Sequence, residues 1–196
     1  MKVAIIKYNA GNIYSVEYAL KRMGIEPVIT ADKELLQTAD KVIFPGQGEA
    51  TKTMEYLKAH RLDELIINLK QPVLGICIGM HLLCKYSEEG NVDCLGIFDA
   101  PVLKFQPEKQ EDKIPHMGWN SLTNLKSRLY EGLSEEDYVY FVHSYYIPLN
   151  EFTIAQSEYI LPFSASMQKD NFYAAQFHPE KSGDTGEKIV RNFINL

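Results

Sequence analysis

The chain has 196 residues, enough for one domain with a full core, and its 45% hydrophobic and 23% charged content is that of a water-soluble globular fold. A net charge of −6, with lysines and arginines scattered rather than in a block, argues against nucleic acid or an anionic membrane as partner. The four apolar residues between Lys2 and Lys7 are too few for a signal-peptide core or a membrane span. Cys77, Cys84 and Cys94 form no Cys-x-x-Cys pair, so neither a disulfide framework nor a zinc site is expected and a reducing, cytoplasmic compartment fits.

Val3 to Ile6 reads as a short buried strand and Asn9-Ala10-Gly11-Asn12 as a turn. Ile13, Val16, Leu20 and Met23 then recur at helical spacing, and Gly24 supplies the stop. Pro27-Val28-Ile29 is a second strand, and Asp32 caps a short helix containing Leu35 and Leu36. Val42-Ile43-Phe44 is a third strand, cut off by Pro45-Gly46-Gln47-Gly48; Thr51 to Leu69 is helical, in two pieces. Val73 to Ile76 is a fourth strand, leading through Gly75-x-Cys77-x-Gly79 into a helix over Met80 to Leu83. Strand and helix alternate through this first half, which predicts a parallel sheet covered on both faces, with ligands at the C-terminal ends of its strands. The Pro45–Gly48 loop and the Cys77 turn both belong on that rim.

The second half is β-rich. Gly90-Asn91 marks a turn, and Leu95 to Phe98, Val102 to Phe105, Tyr138 to His143, Phe152 to Ala155, Phe163 to Met167 and Phe172 to Phe177 read as strands. With no long helical pattern between the later ones, antiparallel pairing is expected. Gln106 to Lys113 is a polar surface loop, and a last helix runs from about Thr185 to Asn195. No repeat or linker divides the chain, so residues 1–196 read as one α/β domain: a mixed, mostly parallel sheet with helices on both faces and an antiparallel C-terminal part.

The chemistry centres on Cys77. A small residue on each side lets the chain bend sharply around a nucleophile, and a helix N-terminus favours an anion and hence the reactive thiolate. A buried structural cysteine between two glycines fits that stretch equally well, so a base elsewhere must decide. Among five histidines, His60 lies in a charged helical segment. His116 lies in a loop with the only tryptophan, and His143 ends an alternating strand. His178 is the best partner: it follows a strand, Pro179 keeps it from turning helical, and Glu180 stands two residues on, on the same side of an extended chain. Glu180 can then fix the imidazole tautomer, as the acid of a triad does; an exposed turn with a casual His and Glu is the other reading.

Gly75-Ile76-Cys77-Ile78-Gly79-Met80, Phe177-His178-Pro179-Glu180 and Pro45-Gly46-Gln47-Gly48 together resemble the signature set of class I, triad-type glutamine amidotransferases. Gly11-Asn12-Ile13, His116-Met117-Gly118-Trp119-Asn120, Phe141-Val142-His143-Ser144-Tyr145 and His178-Pro179-Glu180-Lys181-Ser182 narrow it to the HisH family, the glutaminase subunits of imidazole glycerol phosphate synthase. The resemblance runs from about Lys2 to the C-terminus and implies a flavodoxin-like fold. It also implies hydrolysis of glutamine to glutamate and ammonia, with ammonia passed to a separate βα-barrel cyclase subunit in histidine biosynthesis.

By that resemblance the triad is Cys77, His178 and Glu180. The oxyanion donors are the backbone N–H of Ile78 and the Gly46-Gln47 peptide, which reorients when the partner's substrate binds. Glu89 binds the α-amino group of glutamine, and the backbone N–H groups of Ser144 and Tyr145 hold its α-carboxylate. Asn12, Met117, Trp119, Tyr140 and Lys181 match positions near the ammonia exit or the subunit interface, with core packing the other reading for Trp119 and Tyr140. There are three departures. His81 replaces a glutamine that helps hold the substrate; it can donate or accept a hydrogen bond, so binding is expected to survive, weakened and pH-dependent. Gln47 stands where valine is common, and Lys7 where aspartate is common, changing a contact near the interface. No metal or nucleotide site is evident and no cofactor is implied. Two other readings stay open: a relative that sends ammonia to another acceptor, in sugar or cofactor biosynthesis, and a non-catalytic regulatory subunit.

Overall fold

The computed structural model describes residues 1–8 and 12–196; of the turn expected at Asn9 to Asn12, all but Asn12 lies outside them. The first half alternates as expected: β1 (Val3–Ile6), α1 (Ile13–Arg22), β2 (Val28–Thr30), α2 (Lys33–Gln37), β3 (Lys41–Phe44), α3 (Ala50–Ala59), α4 (Leu62–Ile67), β4 (Val73–Ile76) and α5 (Ile78–Leu83). The local signals act as read. Gly24 adopts a left-handed φ of 77° just past α1, and Asp32 accepts the Leu35 N–H at 2.9 Å to cap α2. Arg61, at φ 52°, breaks the Thr51 to Leu69 segment into α3 and α4.

The second half contains β5 (Cys84–Ser87), β6 (Val92–Asp93), β7 (Phe98–Lys104), β8 (His116–Ser121), β9 (Tyr138–His143), β10 (Tyr145–Tyr146), β11 (Thr153–Tyr159), β12 (Leu161–Lys169), β13 (Phe172–Ala175) and α6 (Gly183–Ile194). Two expectations change. The runs at Leu95 to Phe98 and Val102 to Phe105 are one strand, β7, running straight through Pro101. Phe98, Ala100 and Val102 alternate inward while Pro101 faces out beside a register irregularity, where its missing N–H is tolerated. The stretch from His116 to Asn120 is no loop but strand β8, paired antiparallel with β9 from His116–His143 to Ser121–Tyr138. Gly118 and Asn120 read locally as breakers, and the long-range ladder overrides them.

The central sheet has the order β11-β12-β13-β4-β3-β1-β2, parallel from β13 to β2 and antiparallel at β12 and β11. The expected antiparallel pairing of the later strands holds from β11 through β12 to β13, whose other edge joins the sheet parallel to β4. Successive strand residues face opposite sides. Ala4, Ile6, Val42 and Phe44 pack with Met54, Leu57, Leu65 and Ile66 of α3 and α4. Val3, Ile5, Ile43 and Leu74 pack with Val16 and Leu20 of α1 and with Ile189 and Phe193 of α6. Full burial of each such side chain contributes about 1.5–3 kcal/mol, which holds helices on both faces. For the site, the decisive fact is that β3, β4 and β13 are neighbours running the same way. The loop at 45–48, the Cys77 turn and the segment 176–180 thus leave the sheet side by side.

Candidate active site

Cys77 takes φ 53°, ψ −109° between β4 and α5, a region that costs a side-chain-bearing residue about 1–3 kcal/mol and persists only where the surroundings enforce it. The two flanking glycines do so. A Cβ at Gly79 would lie 2.1 Å from the Phe44 carbonyl oxygen, and one at Gly75 would lie 2.7 Å from Leu83 Cδ1. Close packing of α5 on the ends of β3 and β4 therefore forces the bend. The Cys77 N–H donates to the Ala175 carbonyl at 2.7 Å, tying the turn to β13. Ile78, first residue of α5, has a backbone N–H without a partner inside the helix.

His178 is fully buried and extended, its N–H bonded to the Tyr140 carbonyl at 2.9 Å. Its Nδ1 lies 2.7 Å from Glu180 Oε1, and both side chains are shielded from solvent. Glu180 reaches it from a 3-10 turn over Pro179–Lys181 rather than from an extended run, so the contact is as expected and its geometry is not. With Nδ1–H donating to the carboxylate, Nε2 is the atom left to face Cys77 across the cavity that both residues line. Burial alone would lower the His178 pKa; hydrogen bonding and charge from Cys77 and Glu180 outweigh it and raise the value to about 9. The imidazole therefore stands protonated beside the sulfur at neutral pH. Asn12, matched by resemblance to the exit or interface, lies buried against this pair, its amide donating to Glu180 Oε1 and lying 3.4 Å from His178 Nδ1.

The cavity, about 270 Å³, is lined by Cys77, Ile78, His178, Gln47, His81, Glu89, Ser144 and Tyr145, all singled out in the sequence. Gly46 lies behind it: a Cβ there would be 1.7 Å from Ile78 Cγ2 and 2.6 Å from the Tyr8 hydroxyl. Glu89 accepts the Ala50 N–H at 3.2 Å, and its carboxyl is raised above the ordinary range, by burial first and then by Glu49, against the pull of that N–H. His81 is held near pKa 4 by burial, which outweighs its bond to Gln176, and burial holds His116 near 4 as well. His143 is pushed well below the usual histidine range, by burial above all and then by the neighbouring histidines, against its bond to the Tyr145 carbonyl. The pocket thus has one cationic imidazole, at His178, among neutral ones.

Four further residues at the site were given no role from the sequence. Val142 and His143 line the wall. Tyr8 donates its hydroxyl to the Pro45 carbonyl, with burial raising its phenol far above the usual value. Gln176, fully buried, sits between His81 and Cys77. Val142 and His143 fall in an alternating strand and in a motif that carries the resemblance, whereas nothing local marked Tyr8 or Gln176. Met117 and Trp119 are 63% and 55% exposed, so core packing is not the role of Trp119; with half-buried Tyr140 they lie on the outer face of the β8–β9 pair, and Lys181 is exposed on the turn after His178. A sulfur nucleophile, an imidazole able to move a proton and a carboxylate to orient it are the parts needed for acyl transfer through a thioester.

Comparison with known proteins agrees with that chemistry. The model of the family "Glutamine amidotransferase class-I" matches residues 4–196. The imidazole glycerol phosphate synthase subunit HisH of Bacteroides thetaiotaomicron is 66% identical over 196 residues, with all of both chains covered. The subunit of the same name from Escherichia coli strain K12 is 45% identical over 198 residues, again with full coverage of both. A solved glutamine amidotransferase superposes with a TM-score of 0.73 at 21% identity, covering 100% of this chain and 98% of the other, which speaks to the fold alone. The chain belongs to the class-I glutamine amidotransferase family and, within it, to the HisH type.

Proposed function

We propose that this chain is the glutaminase subunit of imidazole glycerol phosphate synthase and that it works through a Cys77–His178–Glu180 triad. The observation that carries the triad is the His178–Glu180 pair, 2.7 Å apart and buried at the end of β13, opening on the same cavity as the strained Cys77 at the end of β4. The Cys77 thiolate attacks the side-chain amide carbon of glutamine. His178 gives its proton to the leaving ammonia, then draws one from the water that cleaves the thioester, while Glu180 keeps the ring in one tautomer. The oxyanion takes the Ile78 N–H and, after reorientation of the peptide, an N–H from Gly46-Gln47; one such donor is worth about 3 kcal/mol of barrier. Glu89 faces the α-amino group, the Ser144–Tyr145 backbone the α-carboxylate, and His81 the amide end.

The ammonia passes to a βα-barrel cyclase that docks on the apolar outer face of β8 and β9, at Met117, Trp119 and Tyr140, with Lys181 beside it; Asn12 steadies Glu180 behind that surface. No helix among the described residues is long and apolar enough to cross a membrane, and the three free thiols fit a reducing cytoplasm. The test is Cys77→Ala in complex with the cyclase. Glutamine-dependent synthesis should vanish while synthesis from added ammonia persists. Loss of both in a folded complex would refute the assignment.

A further inference from the structure

We propose that His81 and Gln176 form a positioning relay onto the nucleophile: His81 fixes the Gln176 amide so that its N–H points at the Cys77 sulfur and stabilises the thiolate. Gln176 is fully buried, immediately after β13, with its backbone N–H bonded to the Ala165 carbonyl at 2.9 Å. A side-chain amide buried that deeply needs partners at both ends. Its Oε1 lies 2.7 Å from His81 Nε2, and its Nε2 lies 3.9 Å from Cys77 Sγ.

The orientation of the amide follows from the imidazole. A donor Nε2–H on His81 demands Oε1 opposite it, which turns the NH2 toward the sulfur. The opposite flip would need the hydrogen on His81 Nδ1, a buried atom with no hydrogen-bond partner among the described residues, and would set an amide oxygen against a thiolate. Burial keeps His81 neutral, so the donor tautomer persists across the working range. The other neighbours of the sulfur make the contribution visible. The Val142 carbonyl, 4.0 Å away, accepts from the S–H and so favours the thiol. Of the titratable groups coupled to Cys77, His178 favours the thiolate and Tyr8, held neutral by burial, has its hydroxyl committed to Pro45. Among the described residues Gln176 is thus the uncharged side-chain donor on the sulfur, and His81 acts through it.

The inference rests on Cys77 being the nucleophile, and its test is kept separate from turnover. In the full-length protein, alkylation by iodoacetamide is followed at the Cys77 peptide by mass spectrometry from pH 5 to 9. His81→Leu and Gln176→Leu should each raise the midpoint by about half to one pH unit, the worth of one neutral hydrogen bond. The double variant should shift no further than Gln176→Leu alone, because in the relay the His81 side chain acts through the Gln176 amide. His81→Gln, which keeps an N–H donor, should restore most of the shift. If the leucine variants do not fold, Gln176→Glu keeps the shape, replaces the N–H with a carboxylate oxygen and should raise the midpoint at least as far. An unchanged midpoint in folded Gln176→Leu or Gln176→Glu, or additive shifts in the double variant, overturns the relay. Glutaminase activity surviving in Cys77→Ala would instead overturn the nucleophile assignment, leaving the midpoints to report on the relay alone.

Discussion

At Gly79 a single methyl group tests how the Cys77 turn is held. Its Cβ would sit 2.1 Å from the carbonyl oxygen and 3.2 Å from the carbonyl carbon of Phe44. These are backbone atoms at the end of β3, so nothing flexible can yield, and α5 must lift off the sheet. Gly79→Ala is therefore expected to destabilise the protein by about 3 kcal/mol. Gly96 is the contrast: it adopts φ 71°, and among the described residues no atom lies within 4 Å of where a Cβ would stand, so Gly96→Ala bears only torsional strain, about 1 kcal/mol. Urea unfolding of the two variants measures the difference, and equal costs would contradict the packing account. The spacing Gly75-x-Cys77-x-Gly79 was legible as a sharp turn around sulfur. That Gly79 answers to β3 rather than to the torsion of the turn was not, because the pressing atom lies 35 residues back along the chain. Gln176 escaped for the same reason: nothing local marks a glutamine before Phe177 as the link between an imidazole and a thiol 95 and 99 residues away.

The β8–β9 pair shows the same separation at the level of elements. The alternation in β9 was plain in Tyr138 to His143, but its partner carries Gly118 and Asn120 and reads as a loop until the ladder is drawn. Once paired, the strands sort their residues by face. His116, Val139, Phe141 and His143 turn inward, and His116 stacks on Phe141 and Tyr159 at centroid distances of 4.9 and 4.1 Å. Met117, Trp119 and Tyr140 turn outward, with the Trp119 and Tyr140 rings edge-to-face at 5.9 Å. An exposed cross-strand aromatic pair contributes less than about 1 kcal/mol to a fold, whereas a buried aromatic anchor at an interface is worth about 2 kcal/mol or more. Trp119→Ser should accordingly leave the urea midpoint nearly unchanged while weakening binding of the cyclase subunit about 30-fold by calorimetry. Unfolding with unchanged affinity would assign Trp119 to the fold instead of the docking face.

Across the whole molecule the buried histidines set the pH range in which the fold holds. His81 and His116 are lowered from 6.5 to about 4 by burial, and His143 is lowered with them. Between pH 6.5 and 4 the unfolded chain binds more protons at these sites than the native one, so stability rises with pH there. Their full contribution is present above about 6.5 and is lost as the pH falls toward 4. For His81 a shift of that size corresponds to about 3 kcal/mol, a sizeable share of the roughly 5–15 kcal/mol that stabilises a whole domain. His178 runs the other way. Its native value of about 9 exceeds the unfolded 6.5, so its stabilisation is complete below 6.5 and disappears as the pH rises through 9. The two slopes meet near pH 6.5, which should be the maximum of stability. Urea midpoints measured from pH 4 to 10 should fall on both sides of that value, with the acid limb beginning well above the range where carboxylates titrate. A plateau extending unbroken from pH 7 down to 5 would mean that the histidines around the pocket meet protons as readily in the folded chain as in the unfolded one, and the neutral wall that surrounds the single cationic imidazole would not exist.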